Sequence, residues 1–137
     1  MMVSKPLRRD NPAATFLWQK IDSLDIESRL RIITDATIDD LLGLYSGAYW
    51  YIQPSLYEGF GLPVLEAQAC ECPVISTLGG SLKEICNNSC MEFGSFNSGD
   101  LSAVRTKFIE LGSENVKRFS WKKTTQQMSE VYQQCAR

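Results

Sequence analysis

The sequence predicts an α/β fold, a parallel sheet covered by helices on both faces. Three short runs rich in β-branched or aromatic residues, 30–34, 48–55 and 73–77, alternate with segments of helical period. Such alternation is typical of parallel strands joined by helical crossovers. The 137 residues, 44% of them hydrophobic and 22% charged, match a globular chain long enough for a core of its own. We therefore expect a single domain over residues 1–137.

Capping signals predict the first two helices. Asn11 followed by Pro12 is typical of a helix start, so we expect the chain to begin with a helix rather than a strand. Thr37 with Asp40 three residues later resembles a capping box, and the helix that it opens should end near Gly47.

The second half of the chain should hold four more helices. Pro63 suits the first turn of a helix beginning at Leu62, and Ser120 suits the cap of the last helix. Residues rich in Gly, Ser and Asn predict a loop over 87–100. The last helix is expected over 120–136, and the other two are expected over 81–86 and 101–112.

Charge and composition exclude several classes of function. The net charge is −2 without a block of Lys and Arg, which gives no support for nucleic acid as a partner. No apolar run reaches the length of an integral membrane segment, and no apolar segment follows the charged start as in a secretory signal. Five cysteines without a signal favour reduced thiols in the cytoplasm. Their C-x-C and C-x3-C spacings, without any histidine, argue against a metal site.

The segment PSLYEGFGLPVLEAQAC, residues 54–70, carries the strongest functional signal. It lies between a predicted strand and a predicted helix, where ligands bind in open α/β sheets. Gly59 and Gly61 permit close backbone approach, and the following helix start favours phosphate. Glu58 lies in the loop, and Glu66 lies about one turn into the helix. As a pattern alone, the segment also fits a purely geometric turn with a glutamate favoured by the helix dipole.

The same segment, followed by PVIS, GGSLKEI and FSW in that order, resembles a known family. It is similar to the C-terminal, donor-binding domain of retaining glycosyltransferases of family 4, which are group 1 glycosyltransferases with the GT-B fold. The family motif Glu-x7-Glu matches Glu58 and Glu66, and the resemblance covers roughly residues 29–132. It implies a Rossmann-like parallel sheet with flanking helices.

The resemblance also implies a role for each residue of the motif. Glu58 would be the catalytic residue and would bind hydroxyls of the donor sugar. The backbone of Gly59, Phe60 and Gly61 would line the sugar and phosphate region. The remaining substrate-binding positions would be Leu62, whose N–H would contact the diphosphate, and Glu66, which would hold the ribose hydroxyls.

The implied reaction moves a hexose of mannose or glucose type from a nucleotide diphosphate sugar to an acceptor hydroxyl, with retention of configuration. A glycosidase is rejected, because both acids come from one loop and helix beside a predicted phosphate site rather than from opposite sides of a sugar bond. No cofactor and no metal are expected if cationic side chains and N–H groups neutralise the phosphates.

The family pattern is incomplete in this sequence. The family's Arg and Lys on the diphosphate, and its acceptor domain, lie upstream of the matching residues, and Arg8 and Arg9 are not in a matching context. We therefore expect a domain truncated at the N-terminus and inactive by itself. The alternatives are a subunit that needs a second chain carrying the acceptor domain, and a non-catalytic interaction protein. A peripheral membrane location is the alternative to the cytoplasm for a full-length form with a lipid-linked acceptor.

Two further expectations concern stability and packing. Glu71 stands where the family usually has Gly at a left-handed helix end, a departure that costs roughly 1 kcal/mol. The aromatic residues Phe16, Trp18, Trp50, Trp121 and Tyr132 are expected to be core residues. An exposed apolar face near the C-terminus would instead indicate that the other domain is missing.

Overall fold

The computed structural model describes residues 1–3, 8–95 and 100–136. The chain divides into two compact units, Met1–Leu41 and Leu42–Arg137. The boundary falls within helix α2, Ile38–Gly47. Each unit contains a parallel sheet, and helices accompany the strands in both. The predicted α/β class is therefore confirmed.

The first unit begins with a strand rather than with the predicted helix. Strand β1, Met2–Val3, pairs in parallel with β2, Ile32–Ile33, so that Met2 lies opposite Ile32. A 3-10 turn, Pro12–Ala14, leads into α1, Thr15–Ser23. Strand β1 has only two residues, too few to show the alternation of apolar and polar side chains by which a strand is predicted. The sequence therefore did not predict it.

The second unit contains a three-stranded parallel sheet. Its strands lie in the order β3, Tyr51–Gln53; β4, Val74–Ser76; and β5, Met91–Glu92. Gln53 lies opposite Ser76, and Ser76 lies opposite Glu92. The helices of this unit, besides the end of α2, are α3, Leu62–Ala69; α4, Leu82–Cys86; α5, Asp100–Val116; and α6, Trp121–Cys135.

The strands differ from the prediction in number and length. Five strands lie in the described residues where three were predicted, and none exceeds three residues. Strand β5 lies inside the segment 87–100 that was predicted to be loop. Its pairing with β4 is a tertiary contact that a run of Gly, Ser and Asn does not reveal. Residues 96–99 of that predicted loop lie outside the described residues.

Apolar residues from α3, α4 and β4 form the core of the second unit. Val64, Ala67, Val74 and Leu82 are fully buried, as is the Cys86 thiol. All five cysteines are free thiols. Burial raises the pKa of the Cys72 thiol, so that it stays protonated at neutral pH.

A buried hydrogen bond between two polar side chains joins α3 to α5. Gln68 is 1% exposed and donates to the hydroxyl of Ser89 at 2.8 Å. Asn115 donates to Oε1 of Gln68 at 2.8 Å and to the carbonyl of Ile85 at 2.9 Å. Because these buried groups bond to one another, they avoid the cost of unpaired polar atoms. The network holds fixed the helix that carries Glu66.

Two of the predicted caps are confirmed, whereas Asn11 and Pro12 open a 3-10 turn and the residue before α1 is Ala14, which forms no side-chain cap. The backbone N–H of Thr37 donates to Asp40 at 2.9 Å, and the Asp40 N–H donates back to the Thr37 hydroxyl at 3.2 Å. The Ser120 hydroxyl accepts from the N–H of Lys123 at 3.1 Å. These are the reciprocal bonds of a capping box and the single bond of an N-cap.

Helix α3 ends in a left-handed residue, as expected for Glu71. Its φ is 57°, its N–H donates to the Gln68 carbonyl at 3.1 Å, and the Cys72 N–H donates to the Ala67 carbonyl at 2.9 Å. These two bonds form a Schellman motif, in which Gly is the favoured residue at the position of Glu71.

The expectation of core residues is wrong for Phe16, Trp121 and Tyr132, whereas Trp18 and Trp50 are partly buried. Trp121 is 77% exposed, Phe16 is 76% exposed and Tyr132 is 66% exposed. Trp121 and Tyr132 lie on α6, which has no buried residue. The amphipathic pattern correctly predicted a helix but could not specify what its apolar face packs against. None of the helices in the described part of the chain is both long and apolar enough to cross a membrane.

Candidate functional site

The candidate site lies at the carboxyl edge of the three-stranded sheet. Residues 54–61 connect β3 to α3, and residues 77–81 connect β4 to α4. Because β3 and β4 are parallel and in register, both connections emerge at the same edge. This is the edge at which open α/β sheets bind ligands.

Gly61 is the residue that turns the first connection into the helix. Its φ is +103°, which L side chains rarely adopt, and a Cβ there would lie 2.7 Å from Cδ2 of Leu82. Pro63 lies in the first turn of α3, as predicted, where its missing N–H removes no helical hydrogen bond. The glycine therefore satisfies both a backbone and a packing requirement.

Hydroxyl groups of the second connection bond to backbone carbonyls of the first. The Ser81 hydroxyl lies 2.9 Å from the carbonyl oxygens of both Glu58 and Phe60. The Thr77 hydroxyl donates to the carbonyl of Ser55. A Cβ on Gly79 would collide with the carbonyl oxygen of Leu56. The second connection thus shapes the loop that carries Glu58.

Glu58 is half-buried, and Gln53 holds its carboxylate. Nε2 of Gln53 donates to Oε1 of Glu58 at 2.8 Å and to the hydroxyl of Ser55 at 2.8 Å. Oε1 of Gln53 accepts from the phenol of Tyr51. The carboxylate of Glu58 is therefore anchored to the last residue of β3.

Glu66 is exposed on α3 and accepts a hydrogen bond from Tyr45. The phenol of Tyr45 lies 3.3 Å from Oε2 of Glu66, and the Tyr45 ring meets that of Tyr51 edge-on with centroids 5.4 Å apart. Burial, followed by the charges of Glu58 and Glu66, raises the pKa of Tyr51 to about 12. Burial is also the main cause that raises the pKa of Tyr45. The two tyrosines thus lie between the two acids and stay protonated at neutral pH.

The start of α3 offers the N–H of Leu62 beside the acids, since Pro63 has no N–H and the Val64 N–H donates to the Gly61 carbonyl at 3.0 Å. Leu62 is the first residue of the helix, and its N–H has no acceptor within the helix. Phe60, two residues before Leu62, is half-exposed, and its ring meets that of Phe119 edge-on with centroids 6.2 Å apart. In chemical terms, the carboxylates can accept from hydroxyl groups, and the helix start can donate to an anion.

Arg8 and Arg9 form ion pairs within the first unit. Arg8 pairs with Asp10 at 3.1 Å, and Arg9 pairs with Asp22 at 3.1 Å and Glu27 at 2.7 Å. Within the described residues, no group of three or more acidic, Cys or His side chains could hold a metal ion.

The structure brings the predicted site residues, Glu58, 59–62 and Glu66, to one sheet edge. Four residues that hold the two acids and the loop were not predicted from the sequence: Tyr45, Tyr51, Gln53 and Ser81. One signal was available for Gln53, because an amide ends the otherwise apolar strand run YIQPS just before the loop. The tyrosines gave no comparable signal.

Comparison with known proteins assigns the family. A family model described as "Glycosyl transferases group 1" matches residues 11–128. The chain is 30% identical over 129 residues to the O-antigen chain mannosyltransferase B of Escherichia coli, covering 85% of this chain and 33% of that protein. It is 31% identical over 130 residues to a D-inositol 3-phosphate glycosyltransferase of Salinispora tropica, covering 86% of this chain and 27% of that protein. The chain thus spans about a third of the length of these relatives.

A solved structure supports the fold. Sucrose-phosphate synthase from Thermosynechococcus elongatus superposes with a TM-score of 0.73 at 24% identity, over 98% of this chain and 38% of that one. This likeness to a GT-B enzyme confirms the predicted fold class. The family model covers most of the chain and includes both Glu58 and Glu66. The chain belongs to the group 1 glycosyltransferase family.

Proposed function

We propose that this chain binds a nucleotide diphosphate sugar and forms the donor side of a retaining hexosyltransferase. The observation that carries the proposal is the placement of both motif acids at the sheet edge where such folds bind ligands. Glu58 lies in the connecting loop and Glu66 on the helix, and Leu62, whose N–H has no acceptor within the helix, lies between them. The names of the mannosyltransferase and glycosyltransferase relatives favour a hexose donor.

Each residue has a specific role in this proposal. Glu58 is the catalytic residue and accepts hydrogen bonds from hydroxyls of the transferred sugar. The backbone of 59–61 lines the sugar and phosphates, and the N–H of Leu62 contacts the diphosphate. Glu66 accepts from the ribose hydroxyls. No metal is required if these N–H groups and cationic side chains of a longer enzyme neutralise the phosphates.

We further propose that residues 1–137 form one partial donor domain that is inactive without an acceptor domain. Attack by an acceptor requires that it be positioned next to the donor, and positioning supplies much of the rate in group transfer. The isolated chain should therefore release no nucleoside diphosphate from a nucleotide sugar above the buffer rate. Turnover that is lost in Glu58→Ala would contradict this proposal.

The direct test is protection of the full chain against thermal unfolding. GDP, UDP, GDP-mannose, UDP-glucose and UDP-galactose are compared, because a ligand that binds only the native state must raise the melting temperature. At a concentration of about 100 times its Kd, the matching ligand contributes about 2.7 kcal/mol, a shift of several degrees for a chain of this size. Absence of protection by all five would contradict donor binding and favour a non-catalytic interaction protein.

Substitutions assign the two acids. Glu66→Ala should weaken protection by nucleotide and nucleotide sugar alike. Glu58→Ala should remove only the extra protection that the sugar adds. Glu110→Ala, at an exposed position on α5, is the matched control and should change neither. Unchanged protection in Glu66→Ala would rule out its ribose role.

A split enzyme is the second candidate arrangement. An immunoblot of the source cell with an antibody to residues 113–137 distinguishes the two. A band at least twice the 15.4 kDa of this chain favours one longer enzyme. A band at 15.4 kDa, with a second chain that copurifies and restores transfer, favours the split subunit.

A further inference from the structure

Gln53 is a buried polar side chain at the end of β3, and all of its polar atoms are bonded. It is 6% exposed. Its Nε2 donates to Glu58 and Ser55, both at 2.8 Å, and its Oε1 accepts from the Tyr51 phenol. Burial of an amide is costly unless it is hydrogen-bonded, so this position must be matched to its neighbours.

The neighbours of Gln53 allow only one orientation of its amide. An ionised carboxylate can only accept hydrogen bonds, so Nε2 must point toward Glu58. The Tyr51 phenol stays protonated in the neutral range, because burial raises its pKa to about 12, and it can donate to Oε1. The amide is therefore held from both ends, and it occupies one oxygen of Glu58.

We propose that Gln53 is a positioning residue, which binds Oε1 of Glu58 so that Oε2 faces the donor sugar. This inference rests on the proposed function of the site. A carboxylate with one oxygen fixed in this way cannot rotate freely about its last bond. It therefore presents a defined acceptor for a sugar hydroxyl, while the ribose contact of Glu66 lies on a different element.

The competing explanation is that Gln53 only fills the core. An apolar residue of similar size would then serve as well, and ligand binding would not change. The two explanations differ in what they predict for the sugar. A positioning role affects the preference for nucleotide sugar over nucleotide, whereas a packing role affects neither ligand selectively.

The experiment uses the full chain and the nucleotide and nucleotide sugar that protect it. Gln53→Leu keeps the volume and removes the donor. Because the misdirected carboxylate of Glu58 would lose its charge-assisted hydrogen bond to a sugar hydroxyl, the Kd of the nucleotide sugar should rise by about tenfold or more. The Kd of the nucleotide should stay within about twofold. Gln126→Leu is the matched control, because Gln126 donates to Glu130 at 3.2 Å in a second Gln–Glu pair on α6.

A pH profile provides a readout that a packing role would not change. In Gln53→Glu, two carboxyl groups lie side by side and hold one proton between them at lower pH. The protonated partner then donates to Glu58 as the amide does. The preference for nucleotide sugar should therefore recover as pH falls and disappear as pH rises, whereas the unaltered chain shows no such change.

The outcomes separate the two proposals. If the unaltered chain binds neither nucleotide nor nucleotide sugar, the proposed function fails and the role of Gln53 fails with it. If it binds both, and neither Gln53 variant alters the preference at any pH, the positioning role alone is overturned. If Gln53→Leu does not fold, Gln53→Glu and Tyr51→Phe decide the question, since Tyr51→Phe removes the donor that orients the amide.

Discussion

Single residues at the sheet edge determine whether the loop can reach its shape, and Gly61 is the clearest case. Its backbone is left-handed and its Cα faces Leu82 so closely that a methyl group would lie 2.7 Å from Cδ2. Gly59, two residues earlier, has open space where a Cβ would be. The two glycines of one motif therefore serve different purposes.

Gly61→Ala should lower the free energy of unfolding by about 2 kcal/mol or more. The left-handed backbone costs an L residue roughly 1–2 kcal/mol, and overpacking against Leu82 adds a similar amount. Urea denaturation measures the change. Gly59→Ala is the control and should cost much less. Equal losses in both variants would show that the Leu82 contact and the left-handed backbone are not the cause.

Among elements, helices were predictable from the sequence and strands were less so. Thr37, Asp40 and Ser120 form their caps through residues three positions away, so local spacing was sufficient. Strands β1 and β5 have two residues each, and only their pairing with a neighbouring strand defines them.

The same reasoning explains which residues of the site were predicted. The motif acids were found because the Glu-x7-Glu motif of the family that the segment resembles is local in sequence, whereas the bond from Tyr45 to Glu66 joins residues 21 positions apart.

The capping box of α2 should make the stability of the fold depend on pH in the acidic range. Hydrogen bonds from the hydroxyl and then the backbone N–H of Thr37 hold the pKa of Asp40 below its usual value. A carboxyl with a lowered pKa in the folded state adds stability above its unfolded pKa, and that stability is lost as pH falls through the folded pKa.

Thr37→Ala should therefore cost about 1 kcal/mol near neutral pH, the usual contribution of a threonine cap. The loss should shrink as the solution becomes acidic enough to protonate Asp40. Thermal melts across the acidic range measure both effects. Asp39→Asn is the control, because Asp39 shares the first turn without taking part in the box. A loss that is equal at all pH values would mean that Asp40 does not contribute.

At the scale of the whole molecule, α6 is the helix whose apolar face lies exposed. It has no buried residue, and its exposed apolar side chains, Trp121, Met128, Val131 and Tyr132, lie at helical spacing along it. The chain covers about a third of the curated relatives it matches. We propose that the rest of a longer enzyme covers this face.

An uncovered apolar face should make the isolated chain bind hydrophobic dyes and associate with itself. Replacing both Met128 and Val131 with Gln should lower the fluorescence of the dye ANS and the average mass measured by light scattering. Because α6 carries neither Glu58 nor Glu66, protection by nucleotide sugar should be unchanged. Gln126→Ala with Glu130→Ala, on the same helix, is the control for two substitutions that remove no apolar surface. If the Gln variant still associates as strongly as the unaltered chain, α6 is not the surface involved. If it loses nucleotide protection, the helix contributes to the site itself, and its role would have to be assigned to donor binding.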